Sequence, residues 1–259
     1  MKIGIIQGRL TSPSEGHQTT PKNWEKEFNS LKDLKLSHIE WNLDKNKLYN
    51  NPLFKEAISS SNKKLISSVC FDNLVNKSIF EESFFKYNFS NLLKPISQIG
   101  IKSITLPLVE EARVNSEERL TKIKHFLDPL LEDYNDIIFN IEADSEILYT
   151  ISILEHSEHI KFTYDTGNIT ASGFDHNQYI ESTIHKINNV HLKDRYRNNG
   201  ISALSFSGDT DFDLIFDLLS KHKYDSIYTL QMARGKSGNE EQLIKYYLKN
   251  FREKHAKYF

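Results

Sequence analysis

The amino-acid sequence predicts a fold of the α/β class, a single (β/α)8 TIM barrel, and three observations support this prediction. The chain has 259 residues, and barrels of this class typically have about 250. Eight short apolar runs alternate with eight segments of helical periodicity. Nothing between these segments has the composition of a linker, so we expect residues 1–259 to form one domain.

The predicted strands are short apolar runs that end at turn residues or polar loops, as buried parallel strands do. The sixth and seventh lie in residues 161–168 and 189–195, and each apolar run there ends in ionisable residues, at Asp165 and at His191. The other strands are predicted at residues 2–7, 37–41, 64–70, 101–106 (closed by Pro107), 136–142 and 226–231.

The predicted helices fill the segments between the strands. Trp24, Phe28 and Leu31 recur at helical spacing and mark the first one. A second helix is expected from Leu53 onward. The segment over residues 79–99 should be largely helical, with a kink at Pro95 and a stop at Gly100. Further helices are expected over 116–134, after the fifth strand to about residue 156, and over 175–186, 211–222 and 238–253.

The composition is that of an ordinary globular protein. Hydrophobic residues make up 38% of the chain and charged residues 26%, which is enough for a sizeable core. The formal net charge is -2 and no Lys/Arg-rich block occurs. Nucleic acid is therefore not expected as a partner.

The cysteine count and the hydropathy of the chain predict the cellular compartment of the protein. Cys70 is the single cysteine, which excludes an intrachain disulfide framework and indicates a reducing compartment. The apolar run in residues 1–10 is too short for a signal peptide, and no later run has the length of a membrane span. We expect a soluble, cytoplasmic protein without a membrane partner, which could form a homo-oligomer.

Four consecutive predicted strands end in a polar side chain that could bind a metal ion. They are Glu142, Asp165, His191 and Gln231. In α/β folds the C-terminal ends of parallel strands share one face, where ligands bind. Asp165 or His191 alone could be a turn residue or a hydrogen-bonded core residue, but four matched positions favour a shared site. Carboxylate, imidazole and amide ligands suit one divalent ion such as Mn, Mg, Co or Zn.

Several motifs resemble a known family. They are MKIGIIQGRL at residues 1–10, IEW at 39–41, YDTGN at 164–168, NVHLKDR at 189–195, GDTDF at 208–212 and LQMARG at 230–235. Together they resemble the sugar phosphate isomerase/epimerase family of xylose-isomerase-like barrels, over nearly the whole chain. The resemblance implies a divalent metal held by the four strand-end residues, and a small sugar, sugar phosphate or related hydroxycarbonyl substrate above it.

The sequence departs from related epimerases at two positions. Many of them have a glutamate where Gln231 stands, and an amide cannot accept a proton at neutral pH. Glu142 is then the remaining carboxylate placed to act as the base. One base suffices for a 1,2-shift through an enediolate, so isomerisation is favoured over epimerisation. Relatives also tend to have a glycine near Phe206, which brings the usual conformation of that loop into question.

Residues near the same rim could bind the substrate. Gln7 and Arg9 follow the first strand, and Arg9 could hold a phosphate or carboxylate or instead be a surface arginine paired with an acid. Glu40 ends the second strand, where it could bind sugar hydroxyls or form a buried ion pair. We also predict a substrate contact for Asn168, at the end of its motif.

Three cationic side chains extend this set of predicted substrate contacts. Lys193 shares strand parity with His191, so it could neutralise an enediolate or bind phosphate, or else be a solvated lysine. Arg195 could contact substrate or pair with Asp194. Arg234 lies just past Gln231 and could hold an anion.

The leading hypothesis is a metal-dependent isomerase, with two alternatives. A barrel that binds a sugar without turnover would have Gln231 as the sign of lost catalysis. An endonuclease-like metal phosphodiesterase would need more strand-end histidines, and the near-neutral charge disfavours it.

Overall fold

Eight parallel strands form a closed barrel in chain order within the residues that the structure describes. The structure is a computed structural model, and it describes residues 2–12, 20–43, 51–55, 57–71, 77–85, 89, 91–204, 206–255 and 257. The strands are β1 Lys2–Ile6, β2 Ile39–Asn42, β3 Ile66–Cys70, β4 Ser103–Leu108, β5 Ile138–Ala143, β6 Ile160–Asp165, β7 Ile187–Leu192 and β8 Ile227–Leu230. The predicted (β/α)8 TIM barrel is confirmed; its interpretation as one domain stays a prediction.

Helices alternate with these strands, as the periodicity predicted. They are α1 Trp24–Asp33, α2 Ser60–Lys63, α3 Glu82–Phe85, α4 Asn91–Gln98, α5 Glu117–Asp133, α6 Ile147–Leu154, α7 Thr166–Ala171, α8 His176–Thr183, α9 Phe212–Lys221 and α10 Glu240–Lys254. Short 3-10 turns lie at Pro52–Phe54, Lys77–Phe80 and Glu110–Ala112. No helix among the described residues combines the length and apolar character needed to cross a membrane.

Strand β4 runs past the point where the sequence prediction ended it. Pro107 was expected to close the strand, but β4 continues to Leu108, and Pro107 is in register with Glu142 of β5. The Phe71 N–H donates to the Thr105 carbonyl, so the ladder groups of Thr105 and Pro107 face the β3 side. Because β3 ends at Cys70, the N–H that Pro107 lacks costs no ladder bond.

The helix expected to begin at Leu53 is wrong. The Asn51 side chain accepts a hydrogen bond from Leu53 N, and this cap starts only a 3-10 turn at Pro52–Phe54. A separate four-residue helix, α2, begins later, where the Ser59 side chain accepts from Asn62 N. Two local caps thus start two separate short turns in the segment where a helix was expected from Leu53.

The segment over residues 79–99 was predicted to be largely helical. It contains the end of a 3-10 turn, then α3 and α4, while residues 86–88 and 90 lie outside the described part of the chain. Pro95 lies inside α4, and Gly100 follows with a φ of 84°. Glycine takes this left-handed conformation without a steric penalty, so the predicted helix stop is confirmed.

Contacts group the chain into two compact units, residues 1–40 with 164–259 and residues 41–163, and the boundaries fall inside β2 and β6. In the second unit, Arg113 forms two hydrogen bonds to the buried Asp144 carboxylate, at 2.9 Å from Nε and 2.5 Å from Nη2. This pair fixes the chain just after β5.

In the first unit, Phe206 has a φ of 59°, which costs a non-glycine residue roughly 1–2 kcal/mol. Its ring packs against Phe212, Tyr247 and Phe251 at centroid distances of 5.7, 5.5 and 5.0 Å. These aromatic contacts offset the backbone cost. A phenylalanine therefore occupies a conformation that a glycine would adopt freely.

Candidate metal and substrate site

Asp165 is the last residue of β6 and the N-cap of α7. Its Oδ1 accepts a hydrogen bond from Asn168 N at 2.7 Å, which fixes the side chain. Its Oδ2 is fully buried and has no hydrogen-bond partner among the described residues. The nearest basic groups are Lys193 Nζ at 3.6 Å and His191 Nδ1 at 3.9 Å. A buried carboxylate oxygen in this situation suits a cation.

His191 is held by a second buried carboxylate. Its Nε2 lies 2.6 Å from Glu40 Oε2, and both side chains have no exposed surface. Its other ring nitrogen, Nδ1, lies on the Asp165 side. Metal-binding histidines commonly donate their second ring N–H to a carboxylate, which fixes the tautomer and the ring. Of the two interpretations of Glu40, the structure contains the buried pair; a sugar contact stays a prediction.

Glu142 completes a group that could hold a metal ion. Glu142, Asp165 and His191 each offer a ligand atom, these atoms lie within 4.8 Å of one another, and all three residues are buried. Two carboxylates and one imidazole suit Mn²⁺, Mg²⁺, Co²⁺ or Zn²⁺. The hydrogen-bond state of Asp165 and the orientation of His191 agree with that chemistry. The residues therefore fit a divalent cation.

Gln231, the fourth predicted ligand, follows β8 directly. Its backbone N–H donates to the Leu192 carbonyl at 2.9 Å, which extends the β7–β8 ladder by one bond. Its side chain is 3% exposed, and its Oε1 has no hydrogen-bond partner among the described residues. A buried amide oxygen of this kind could bind a cation. Metal ligation by Gln231 stays a prediction.

Lys193, Asn168 and Arg195 lie together beside Asp165. The Asn168 Oδ1 accepts from Lys193 Nζ at 3.3 Å and from Arg195 Nη1 at 2.6 Å. A Cβ on Gly167 would come within 2.8 Å of Lys193 Cγ, so the glycine makes room for the lysine. The Lys193 side chain is 13% exposed, so it is not a solvated surface lysine.

Asp194 and Arg195 engage other groups of the loop after β7. The Asp194 carboxylate accepts from Gly208 N at 2.8 Å and from Thr210 N at 3.3 Å. The Arg195 Nε donates to the Gly200 carbonyl at 2.5 Å. These bonds tie the loop together, and they turn Arg195 towards Asn168.

The residues after β1 lie against the loop after β8. Gln7 is fully buried, and its backbone N–H donates to the Glu40 carbonyl at 2.8 Å. Arg9 is only 7% exposed, and its Nε donates to the Met232 carbonyl at 3.1 Å. The interpretation of Arg9 as a surface arginine is therefore wrong. A substrate contact through Gln7, Arg9 or Arg234 stays a prediction.

The sequence analysis missed Glu27, a buried acid in α1. Its carboxylate accepts from the backbone of Gly8 and Leu10, and burial raises its pKa to about 7 while those donors and the Arg234 charge act in the opposite direction. The signal was present, because residue 27 lies four positions before Leu31 and so on the apolar face of the helix. A charged residue on that face indicates a specific buried partner.

Comparison with known proteins bears on the fold alone. No family model matches the chain, and no curated protein matches it. Among solved structures, an IolI protein with a bound zinc atom has a TM-score of 0.72 at 16% identity, over 100% of this chain and 99% of its own. An L-ribulose 3-epimerase has a TM-score of 0.69 at 15% identity, over 98% and 96%.

Other matching structures have names that state either a similar activity or a different one. A probable 3-DHS dehydratase, AsbF from Bacillus anthracis, has a TM-score of 0.68 at 15% identity, over 97% of this chain and 98% of its own. Xylose isomerase-like barrels and sugar phosphate isomerase/epimerase proteins recur among the structural neighbours. At these identities the likeness establishes the barrel, and the reaction has to be argued from the site.

Proposed function

We propose that the protein is a divalent-metal-dependent isomerase or epimerase acting on a small sugar, sugar phosphate or related hydroxycarbonyl compound. The observation that carries the proposal is the buried group of Glu142, Asp165 and His191, in which Asp165 Oδ2 keeps no hydrogen-bond partner among the described residues. When bound, a divalent ion supplies Lewis-acid polarisation of a substrate carbonyl. Structural neighbours named as sugar epimerases, and one named with a bound zinc atom, support this class.

Glu142 is the proposed catalytic base. It would remove the proton from the carbon beside the carbonyl and return it to the former carbonyl carbon, while a second proton moves between the two substrate oxygens. Lys193 would stabilise the negative charge that develops on those oxygens, because its ammonium lies 3.6 Å from Asp165 Oδ2. The Gln231 amide cannot accept a proton, so the site favours a single-base isomerisation through an enediolate.

Substrate contacts are proposed for the polar residues around this group. Lys193 is the best-placed cation for a phosphate or carboxylate, because Arg9 already donates to the Met232 carbonyl and Arg234 lies near the buried Glu27. Asn168 and Arg195 lie next to Lys193. Gln7 and Glu40 complete the proposed set.

A second candidate function is sugar binding without turnover, and Gln231 is the observation that favours it. An amide in place of a carboxylate would leave a site able to bind a metal and a sugar but with less acid–base capacity. An endonuclease-like phosphodiesterase finds less support, because the group formed by described residues contains a single histidine.

The test is turnover by purified protein loaded with Mn²⁺, Co²⁺ or Zn²⁺, on aldose–ketose pairs and on epimer pairs in D₂O. We expect isomerisation in which the proton is largely retained, and any deuterium that exchanges onto Glu142 before the return enters at one carbon and on one face. Metal binding and sugar binding without turnover would favour the binding protein. Efficient epimerisation with solvent deuterium delivered to both faces would require a second base and contradict the single-base mechanism.

A further inference from the structure

Glu27 holds the loop that follows β1. This α1 side chain has no exposed surface, and the Gly8 N–H points at both of its oxygens, 2.8 Å from Oε1 and 3.0 Å from Oε2. Oε1 also accepts from Leu10 N and Thr11 Oγ1, each at 3.2 Å. The Gly8 φ of 84° is in the left-handed region, which a glycine enters without strain.

The same loop contacts the loop that begins at Gln231. The Arg9 Nε donates to the Met232 carbonyl at 3.1 Å, and the Ser12 and Ser237 hydroxyls lie 2.6 Å apart. The positive charge of Arg234 lies close enough to Glu27 to lower the pKa of that carboxyl. Two hydrogen bonds therefore connect the β1 loop with the β8 loop, and the charge of Arg234 in the β8 loop acts on Glu27 of α1.

We propose that Glu27 is a positioning residue, whose carboxylate fixes the β1 loop against the β8 loop and thereby fixes Arg9 and the backbone leading from Gln231. A buried carboxylate is costly unless donors surround it. The donors here are the Gly8 and Leu10 N–H groups and the Thr11 hydroxyl, all in the β1 loop, so the carboxylate loses them if the loop moves away. Arg234 adds an attraction from the β8 loop, and the two loops are held as one unit. The proposal rests on the proposed function only in that Arg9 and Gln231 belong to that site.

The test is amide hydrogen exchange in Glu27→Gln at about pH 8.5, above the pKa of about 7 of the wild-type carboxyl, without metal or substrate. Glutamine keeps the side-chain size but loses the charge, and it presents an N–H₂ group where a carboxylate oxygen faced Gly8. We expect protection of amides in residues 8–11 and 232–235 to fall roughly tenfold or more. Amides of β5 and β6 should keep theirs. Glu25→Gln is the matched control, because Glu25 is an exposed acid of the same helix and should change nothing.

Three results would overturn the proposal. One is unchanged protection in Glu27→Gln. Another is loosening of the β1 loop with no change in the β8 loop, since the carboxylate would then not couple them. The third is an equal loss of protection throughout the barrel, which would indicate a general loss of stability. Glu27→Asp keeps the charge on a shorter side chain and should restore part of the protection.

A variant on the other loop covers the case in which Glu27→Gln does not fold. Arg234→Met removes the charge that faces Glu27, and it should lower protection at Gly8 and Leu10, which lie on the opposite loop. Full protection there would overturn the coupling. Exchange requires no turnover, so the proposal survives or fails separately from the proposed activity. If turnover is found, Glu27→Gln should raise KM more than it lowers kcat.

Discussion

Glu27 and Asp165 are both buried carboxylates without exposed surface, but their surroundings differ. Both oxygens of Glu27 face backbone donors, so the acid is committed to holding the chain. Asp165 uses only Oδ1 in this way, as the cap of α7, and its Oδ2 faces Lys193 and His191. A buried acid whose oxygens both accept from the backbone stabilises a loop, whereas one that keeps an oxygen without a hydrogen-bond partner among the described residues can bind a cation.

The neighbours of the two acids strengthen this distinction. His191 is buried between Asp165 and Glu40, and Glu142 offers a further carboxylate oxygen within 4.8 Å. Several ionisable side chains thus share a small buried volume, which is expensive unless a cation joins them. Around Glu27, by contrast, the charge of Arg234 is what acts on the carboxyl. The candidate site therefore differs from the surroundings of Glu27 in having several acidic side chains close together, and not in the degree of burial.

The largest expected effect is on the chemical step. Glu142→Gln removes the proposed base and keeps the shape of the side chain, so kcat should fall by about 10²–10⁴-fold. Turnover of the best sugar substrate measures it. Glu146→Gln, at the exposed residue that precedes α6, is the control and should leave kcat unchanged. Activity retained in Glu142→Gln would mean that another group moves the proton.

The second expected effect is on stability and concerns Glu27. Burial raises the pKa of Glu27 from 4.5 to about 7. An acid with a raised pKa binds its proton more tightly in the folded chain, so its contribution to stability is highest below pH 4.5 and falls as the pH rises to about 7. The unfolding free energy of the wild type relative to Glu27→Gln should therefore fall by about 3 kcal/mol over this window.

Denaturant unfolding between pH 4.5 and 7.5 measures this difference. The comparison has to be with the variant, because His38 acts in the opposite direction: burial lowers its pKa from 6.5 to about 4, so its contribution is lost as the pH falls through that range. Both proteins contain His38, and its effect cancels. A difference that does not change with pH would mean that Glu27 ionises as an exposed glutamate does.

The sequence was sufficient for the barrel and for the strand ends that carry the candidate metal ligands. Asp165 ends β6, His191 lies one residue before the end of β7, and Gln231 follows β8 directly. The strand ends can be predicted because an apolar run stops where a buried strand leaves the core, so the first polar residue marks the C-terminal end of the strand. Parallel order then brings these ends to one face.

The remaining features depend on contacts that no local pattern encodes. The Glu40–His191 pair joins residues 151 positions apart, and the Arg9–Met232 bond joins residues 223 apart. The helix predicted from Leu53 failed because Asn51 and Ser59 cap separate turns. The backbone conformation at Phe206 could not be predicted from the sequence, since aromatic rings from other elements maintain its left-handed φ.

The smallest expected effect directly tests the role assigned to Asp165. Asp165 and Asp175 are both N-caps whose Oδ1 accepts a backbone N–H, from Asn168 at 2.7 Å and from Asn177 at 2.8 Å. Asparagine keeps this cap at either position. At Asp165, however, the amide replaces the oxygen that faces His191 and Lys193 with an N–H₂ group, which cannot bind a cation.

Asp165→Asn should therefore weaken binding of Mn²⁺, Co²⁺ or Zn²⁺ by roughly tenfold to 100-fold, and His191→Ala should do the same. Asp175→Asn, at an exposed cap, should leave the affinity unchanged. Titration calorimetry on the three variants measures this without a substrate. Equal affinity in Asp165→Asn and Asp175→Asn would mean that Asp165 is a cap and nothing more. Its Oδ2 would then serve only Lys193, and the distinction between ligand-binding and loop-holding carboxylates would not apply to this pair of acids.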